Sequence, residues 1–245
     1  VEFLATPFSN LAVDLLEELK VKRYKIGSGD ITNYLLLEKV ARTKKEIIIS
    51  SGLGDIDVID NTITFLKQTS SEIALLKCTS QYPTPPEKIE LKAINRLKLR
   101  YKIPIGISDH SGEIYAGIGA VCSGASIVES HVTFDKRMFG PDSKASLTID
   151  QLSQLVKGIR FIEKAQKPLK ENKDNEEKER MKKIFGRSLS VNKCLKAGHK
   201  IRFTDLEAKK PANEGIDPRN YSSVIGKVLK EDKAAWEFLK QQDIN

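Results

Sequence analysis

Short apolar runs alternate with segments of helical period along the first two thirds of the chain. The runs cover residues 2–6, 24–27, 46–50, 73–78, 104–107 and 126–131, and they predict six strands. Between them, apolar residues recur at spacings of three and four. Leu11, Leu15, Leu16 and Leu19 form one such stripe, with Ser9 or Asn10 ahead of it as a cap. Leu36, Leu37, Val40 and Ala41 form another within 33–43, and further helices are predicted near 58–67, 86–101, 113–123 and 149–165. Alternation of this kind means a parallel sheet with crossover helices. A closed (β/α)8 barrel of the TIM type needs eight βα units. Six units fit either an open sheet or a barrel without its first two units.

The rhythm breaks at 164–183, where charge dominates and Pro168 interrupts the pattern. This segment predicts an exposed linker, partly helical toward its end. Beyond it, 187–191, 200–201, 206–209 and 224–228 are short strand candidates between turn signals. They predict a small, mostly β module. The expected division is a barrel-type domain over 1–165, a charged linker over 166–183 and a small domain over 184–245.

A length of 245 residues and an apolar content of 40% suit one large α/β domain, or such a domain with a small companion. No run approaches the roughly 18–20 apolar residues of a membrane span, and the N-terminus carries no signal-peptide pattern. The cysteines Cys78, Cys122 and Cys194 are odd in number and scattered, which suits a reducing cytoplasm. The net charge of +8 invites a nucleic-acid partner. The basic residues, however, are dispersed among acids and rarely interleave with aromatics, so a solvated surface or an anionic small-molecule ligand accounts for them better.

The predicted strands end in polar or small residues. The first ends Ala5-Thr6-Pro7-Phe8-Ser9, the second Lys25-Ile26-Gly27-Ser28-Gly29-Asp30, the third Ser50-Ser51-Gly52, and the fourth runs from Lys77 through Cys78, Thr79, Ser80, Gln81 and Tyr82. Hydroxyls, glycine-freed amides and a lysine at one end of a sheet suit a phosphate or carboxylate ligand. The fifth run ends Ser108-Asp109-His110 and the sixth Glu129-Ser130-His131. The chain has three histidines, and two of them stand at equivalent strand ends. Imidazole is a common ligand for divalent metals, and two histidines leave positions open for water and substrate. The alternative is a pair of hydrogen-bonded polar residues that merely finish their strands. Asp142, in the Gly140-Pro141-Asp142 turn, is placed to reach the mouth of a barrel or simply to start a turn.

These strings, in this order, resemble the sialic acid synthases, the N-acetylneuraminate synthase family. The C-terminal stretch from Leu206 to Pro218, with Ile225-Gly226-Lys227-Val228, resembles that family's antifreeze-like (SAF) domain. The resemblance covers nearly the whole chain. It implies condensation of phosphoenolpyruvate with an open-chain N-acylated hexosamine, commonly N-acetylmannosamine, to a nine-carbon 2-keto acid. C3 of phosphoenolpyruvate attacks the aldehyde, water adds at C2, and phosphate leaves by C–O cleavage.

Carried over by motif, His110 and His131 would bind Mn2+ or Mg2+. Lys25, Ser28, Ser50 and Ser108 would hold phosphoenolpyruvate, with Thr6 and Ser80 beside them. Tyr82, Asp142 and Glu129 would face the sugar or assist proton transfer. Lys210 stands where relatives often place an arginine against the N-acyl group, and lysine lacks the flat two-pronged donor set. The resemblance also implies a domain-exchanged homodimer; the dispersed charge and the lack of a long apolar run lead to the expectation of no nucleic-acid or membrane partner. The family has two further βα units upstream, so the chain is expected to be an N-terminally truncated member, with open strand edges that need cover. Two alternatives stay open: a legionaminic- or pseudaminic-type acid synthase, and a catalytically silent carbohydrate-binding remnant.

Overall fold

The computed structural model describes residues 2–69, 72–168 and 171–245. The chain divides into two compact units, Val1–Lys167 and Pro168–Asn245.

In the first unit, strands β1 (Arg23–Ile26), β2 (Glu46–Ser50), β3 (Ile73–Cys78), β4 (Ile105–Asp109) and β5 (Ile127–Ser130) form one parallel sheet in sequential order. Helices α1 (Asn10–Glu18), α2 (Tyr34–Arg42), α3 (Ile56–Gln68), α4 (Lys92–Tyr101), α5 (Ile114–Cys122) and α6 (Ile149–Ala165) accompany them. Local chemistry starts these helices where the pattern predicts. Ser9 caps α1, Asn33 caps α2 and Asp55 caps α3, each accepting a backbone N–H of the first turn. Thr148 and Gln151 form a reciprocal capping box on α6.

The period of two along each strand separates the faces. Tyr24, Ile26, Ile47, Ile49, Ile73, Leu75, Ile105 and Ile107 point toward the helices and share one core with Leu36, Leu37, Ile63, Leu66, Ile94 and Leu97. On the other face Ile48, Ala74, Leu76 and Ile127 form a small apolar layer. Register places Lys25, Ser50, Cys78, Ser108 and Glu129 on that same face. The sheet is strongly curled. Lys25 on β1 and Glu129 on β5 sit on opposite edge strands, yet Nζ lies 3.2 Å from Oε2. Four flat interstrand intervals would span about 19 Å, beyond the reach of the two side chains. The unit is therefore an α/β half-barrel with a concave face.

Several expectations change. Residues 2–6 form no strand among the described residues; Ala5 makes a single parallel bridge to Tyr24, and its carbonyl accepts the Lys25 N–H. Five strands thus stand where six were expected. The segment 86–101 splits into a 3-10 turn, Pro86–Lys88, and α4, because Glu90 adopts φ +57, which an α-helix cannot contain. The leucine stripe of α1 is not buried as a whole. Val13 and Leu16 enter the core while Leu11, Leu15 and Leu19 stay exposed.

The second unit begins, among described residues, with helix α7 (Glu171–Phe185), so helix runs through most of the expected linker. Strands β8 (Ser188–Val191) and β9 (Leu206–Lys209) pair antiparallel. Two further short strands, β6 (Val132–Thr133) and β7 (Leu147–Thr148), pair with each other in parallel within the first unit. The 200–201 and 224–228 candidates form no strands; Lys200 and Val228 make one bridge and Tyr221–Val224 is a helical turn. Leu189, Val191, Leu195, Ile201, Val224, Leu229, Leu239 and Ile244 make the core of this unit, so it is held mainly by packed loops.

Asp205 is buried in this unit and is bonded by Lys193 Nζ at 2.7 Å, His199 Nε2 at 2.7 Å and Arg202 N at 2.9 Å. Burial alone would push its carboxyl up, but these donors outweigh it and hold the group well below the usual range. Its stabilisation is therefore present above the unfolded value near pH 4 and is lost as pH falls further toward the folded value. Asp205→Asn is expected to cost the second unit about 2 kcal/mol. Urea unfolding at pH 7 checks this, and the gap between variant and wild type should shrink as the pH drops below about 4.

Candidate active site

The polar ends of β1 to β5 gather at one mouth of the half-barrel. Lys25 is buried there, and its ammonium has three donors. Two of them meet Ser50 Oγ at 2.8 Å and the Ile26 carbonyl at 3.2 Å, and the charge is paired with Glu129 Oε2 at 3.2 Å. Ser28, half-buried after β1, has its hydroxyl 3.6 Å from Cys78 Sγ. Ser80 belongs to the same cluster. A Cβ on Gly52 would lie 2.4 Å from Ser80 Oγ, 2.7 Å from Cys78 Sγ and 3.0 Å from Ser28 Oγ. Gly52 is thus the point of closest approach for three strand ends, which explains why a residue without a side chain occupies it.

His110 is buried at the end of β4 and held from several sides. Its Nδ1 lies 3.0 Å from the Thr79 carbonyl. A carbonyl only accepts, so Nδ1 carries the hydrogen and Nε2 keeps its lone pair. Tyr82 OH, at 3.1 Å, and Ser108 Oγ, at 3.2 Å, both reach Nε2. The His110 carbonyl accepts the Thr84 N–H at 2.9 Å. Tyr82 stacks on the imidazole with ring centroids 4.1 Å apart. Burial lowers the His110 pKa, favouring the neutral ring that a metal requires. Burial likewise raises Tyr82, with Cys78, Asp142 and Glu129 adding to it, so its phenol stays protonated.

His131 follows β5, and its carbonyl accepts the Leu147 N–H at 2.8 Å. The β6–β7 pairing folds the intervening loop back and brings Asp142 Oδ2 to 3.5 Å from His131 Nδ1. The His110 and His131 ring centroids are 5.3 Å apart. A ligating nitrogen sits roughly 2 Å from its metal, so two rings at this separation can share one ion. The donor chemistry fits a divalent cation held by two imidazoles, with its remaining positions open. Among the described residues no group of three or more His, Cys, Asp or Glu is assembled to enclose one.

Of the residues singled out from the sequence, Lys25, Ser28, Ser50, Ser80, Tyr82, Ser108, His110, Glu129, His131 and Asp142 lie around this mouth. Thr6 is half-buried next to Ala5, the residue that bridges to β1. Lys210 belongs to the second unit, where its ammonium lies 4.9 Å from the Phe185 ring centroid. Sequence reasoning did not single out Gly52, or the Thr79 carbonyl that orients His110. Neither has a side-chain signature, because one acts by lacking a side chain and the other through its backbone. Asp109 was also missed. It is buried and its carboxylate accepts Ser111 N at 2.9 Å and Ser111 Oγ at 3.1 Å, tightening the turn that presents His110.

A family model described as the NeuB family matches residues 1–171. The chain is 38% identical over 244 residues to the N,N'-diacetyllegionaminic acid synthase of Campylobacter jejuni, covering 98% of this chain and 72% of that one. It is 33% identical over 242 residues to the human N-acetylneuraminate-9-phosphate synthase, covering 97% of this chain and 67% of that one. Among solved structures, the N-acetylneuraminic acid synthetase of Leptospira borgpetersenii superposes with a TM-score of 0.67 at 34% identity, covering 74% of this chain and 65% of that one. The same strand-end residues that converge at the mouth of the half-barrel fall within the matched region, and on this evidence the chain belongs to the NeuB family.

Proposed function

We propose that the concave site condenses phosphoenolpyruvate with an N-acylated amino-sugar aldehyde to a nine-carbon 2-keto acid and releases phosphate. The observation that carries this reading is the convergence of a buried lysine, several hydroxyls, two imidazoles and a carboxylate on one half-barrel mouth. Lys25, with Ser28, Ser50 and Ser108, binds the anionic donor; Thr6 and Ser80 flank it. Ammonium and hydroxyl donors in a partly buried site make strong charge-assisted bonds to phosphate and carboxylate oxygens. His110 and His131 hold Mn2+ or Mg2+, which supplies Lewis acidity toward the acceptor aldehyde. Tyr82 and Asp142 orient the two imidazoles, and Glu129 faces the acceptor and assists proton transfer as the aldehyde oxygen becomes a hydroxyl. A neutral His110 and a protonated Tyr82 suit those roles at neutral pH.

The reading extends to the rest of the molecule. Residues 1–165 form the synthase portion, 166–183 connect it, and 184–245 form an antifreeze-like module whose Lys210 meets the acceptor of a second copy in a domain-exchanged dimer. No helix among the described residues is long and apolar enough to cross a membrane, and Cys78, Cys122 and Cys194 are free thiols. A diamino-sugar acceptor is the second reading, favoured by the 38% identity to a diacetyllegionaminic acid synthase.

Phosphate release from phosphoenolpyruvate tests the proposal. The purified chain is supplied with N-acetylmannosamine or a 2,4-diacetamido-hexose and Mn2+, with and without EDTA. EDTA-sensitive release with one acceptor and not the other supports the reaction and selects the acceptor class. Absence of release with both acceptors contradicts it for this chain.

A further inference from the structure

The Lys25 ammonium donates to Ser50 Oγ and the Ile26 carbonyl and is ion-paired with Glu129 Oε2 at 3.2 Å. Two of these partners belong to β1 and β2, the strands that fix the lysine's position. The third comes from the opposite edge of the curled sheet. Lys25 is 10% exposed at its side chain and Glu129 39%, so the pair lies at the rim of the concave face rather than in bulk water. With two hydrogens given to neutral acceptors, the remaining side of the ammonium faces Glu129. An incoming anion therefore has to share a neutral acceptor's donor or take the side that Glu129 covers. The neutral partners lose little by sharing a donor, whereas a carboxylate and a phosphate on the same ammonium repel each other at close range.

We propose that the Lys25–Glu129 ion pair is an interlock between the two halves of the site: binding of the phosphorylated donor displaces Glu129 from Lys25, and only then is the Glu129 carboxylate free to engage the acceptor. This deepens the proposed function and rests on it. The anionic substrate exchanges for an internal carboxylate, and the displaced carboxylate is the group that faces the second substrate. By linkage, the acceptor binds more tightly once the donor is in place, and by the same factor the donor binds more tightly once the acceptor is present. The empty site remains neutralised, because Lys25 is never left as a buried unpaired cation.

Equilibrium titration with phosphoenolpyruvate alone, without acceptor, tests the interlock in wild type, Glu129→Gln, Glu129→Asp and Lys25→Met. Glu129→Gln removes both the charge and the pair. Glu129→Asp keeps the charge and shortens the reach, so it separates the pair from a general electrostatic effect. The interlock requires both variants to bind phosphoenolpyruvate roughly three- to tenfold more tightly than wild type. Tighter binding by Glu129→Gln with unchanged binding by Glu129→Asp would leave only background charge repulsion and overturns the interlock, as does no change in either. Lys25→Met is the control for the underlying reading. If it binds as wild type does, the donor is not held at Lys25 and the functional assignment fails with the interlock. If it loses binding while the Glu129 variants do not gain, the interlock alone fails. Far-ultraviolet circular dichroism of each variant confirms that a folded protein was titrated.

Discussion

Alanine in place of His110 is expected to abolish tight Mn2+ binding and to lower metal-dependent phosphate release by roughly a thousandfold or more. The effect is large because His110 is held so firmly. Thr79 fixes its tautomer, Tyr82 stacks on its ring, and Thr84 holds its backbone. The single imidazole left at the site, His131, supplies one ligand where two were shared. Calorimetric titration with Mn2+ is the direct check; unchanged affinity in the variant would remove the metal assignment. The substitution also removes one donor from the Thr79 carbonyl, which keeps the Gln81 N–H at 2.9 Å, so the lost hydrogen bond costs about 0.5–1.5 kcal/mol. Unfolding curves at neutral pH separate that loss from the loss of the ligand.

The same residue sets a pH dependence. Because burial lowers its folded pKa, the unfolded chain binds more protons at His110 in the window between that lowered value and about 6.5. Stability contributed by the neutral ring is thus present above about pH 6.5 and is lost as pH falls through the folded value. Metal affinity should fall in the same direction, since protons compete for Nε2. His110→Ala flattens both profiles.

The second large effect concerns the sheet itself. Gly106 on β4 lies on the concave face between Leu76 and Ile127 in register. A Cβ there would meet the Ile127 carbonyl oxygen at 2.4 Å, Leu76 Cδ2 at 2.5 Å and Ile127 Cβ at 2.8 Å. Rotamer changes can move Leu76, but the carbonyl belongs to the β5 backbone. Gly106→Ala is therefore expected to destabilise the protein by about 2–3 kcal/mol through overpacking. It should also impair the site, because Ser108 and His110 continue the same strand and any shift of β4 against β5 changes their distance from Glu129 and His131. Thermal unfolding of the variant, followed by Mn2+ titration of the fraction that remains folded, measures the two consequences separately. Wild-type stability would show that β4 and β5 part without cost, contrary to this packing.

Much of this architecture is legible in the sequence. Apolar runs bounded by turn residues mark β1 to β5 within a residue or two, and Ser9, Asn33, Asp55 and Thr148 mark helix starts through chemistry confined to one turn. Residues 2–6 mislead because an apolar run specifies the wish to be buried rather than a partner to pair with. The helical period across 86–101 misleads because a single left-handed residue, Glu90, breaks the helix without disturbing the spacing of its apolar positions. In the second unit, the short strand candidates fail because a core of packed loops needs apolar residues at irregular intervals, which imitate strand patterning.

The candidate site divides in the same way. Residue types at strand ends were enough to nominate Lys25, His110 and His131, since strand direction alone brings parallel strand ends to one side of a sheet, and the family resemblance added Ser28, Ser50, Ser108 and Glu129. By itself the sequence determined β1 to β5, the helix starts marked by caps and the polar strand ends, because propensity, capping and periodicity act over a few residues. The tertiary structure alone decided that Lys25 meets Glu129 across the curl, that Gly52 admits three side chains, and that the Thr79 carbonyl orients His110. These contacts depend on sheet curvature and on backbone atoms every residue shares, and neither is written in the identity of any one side chain.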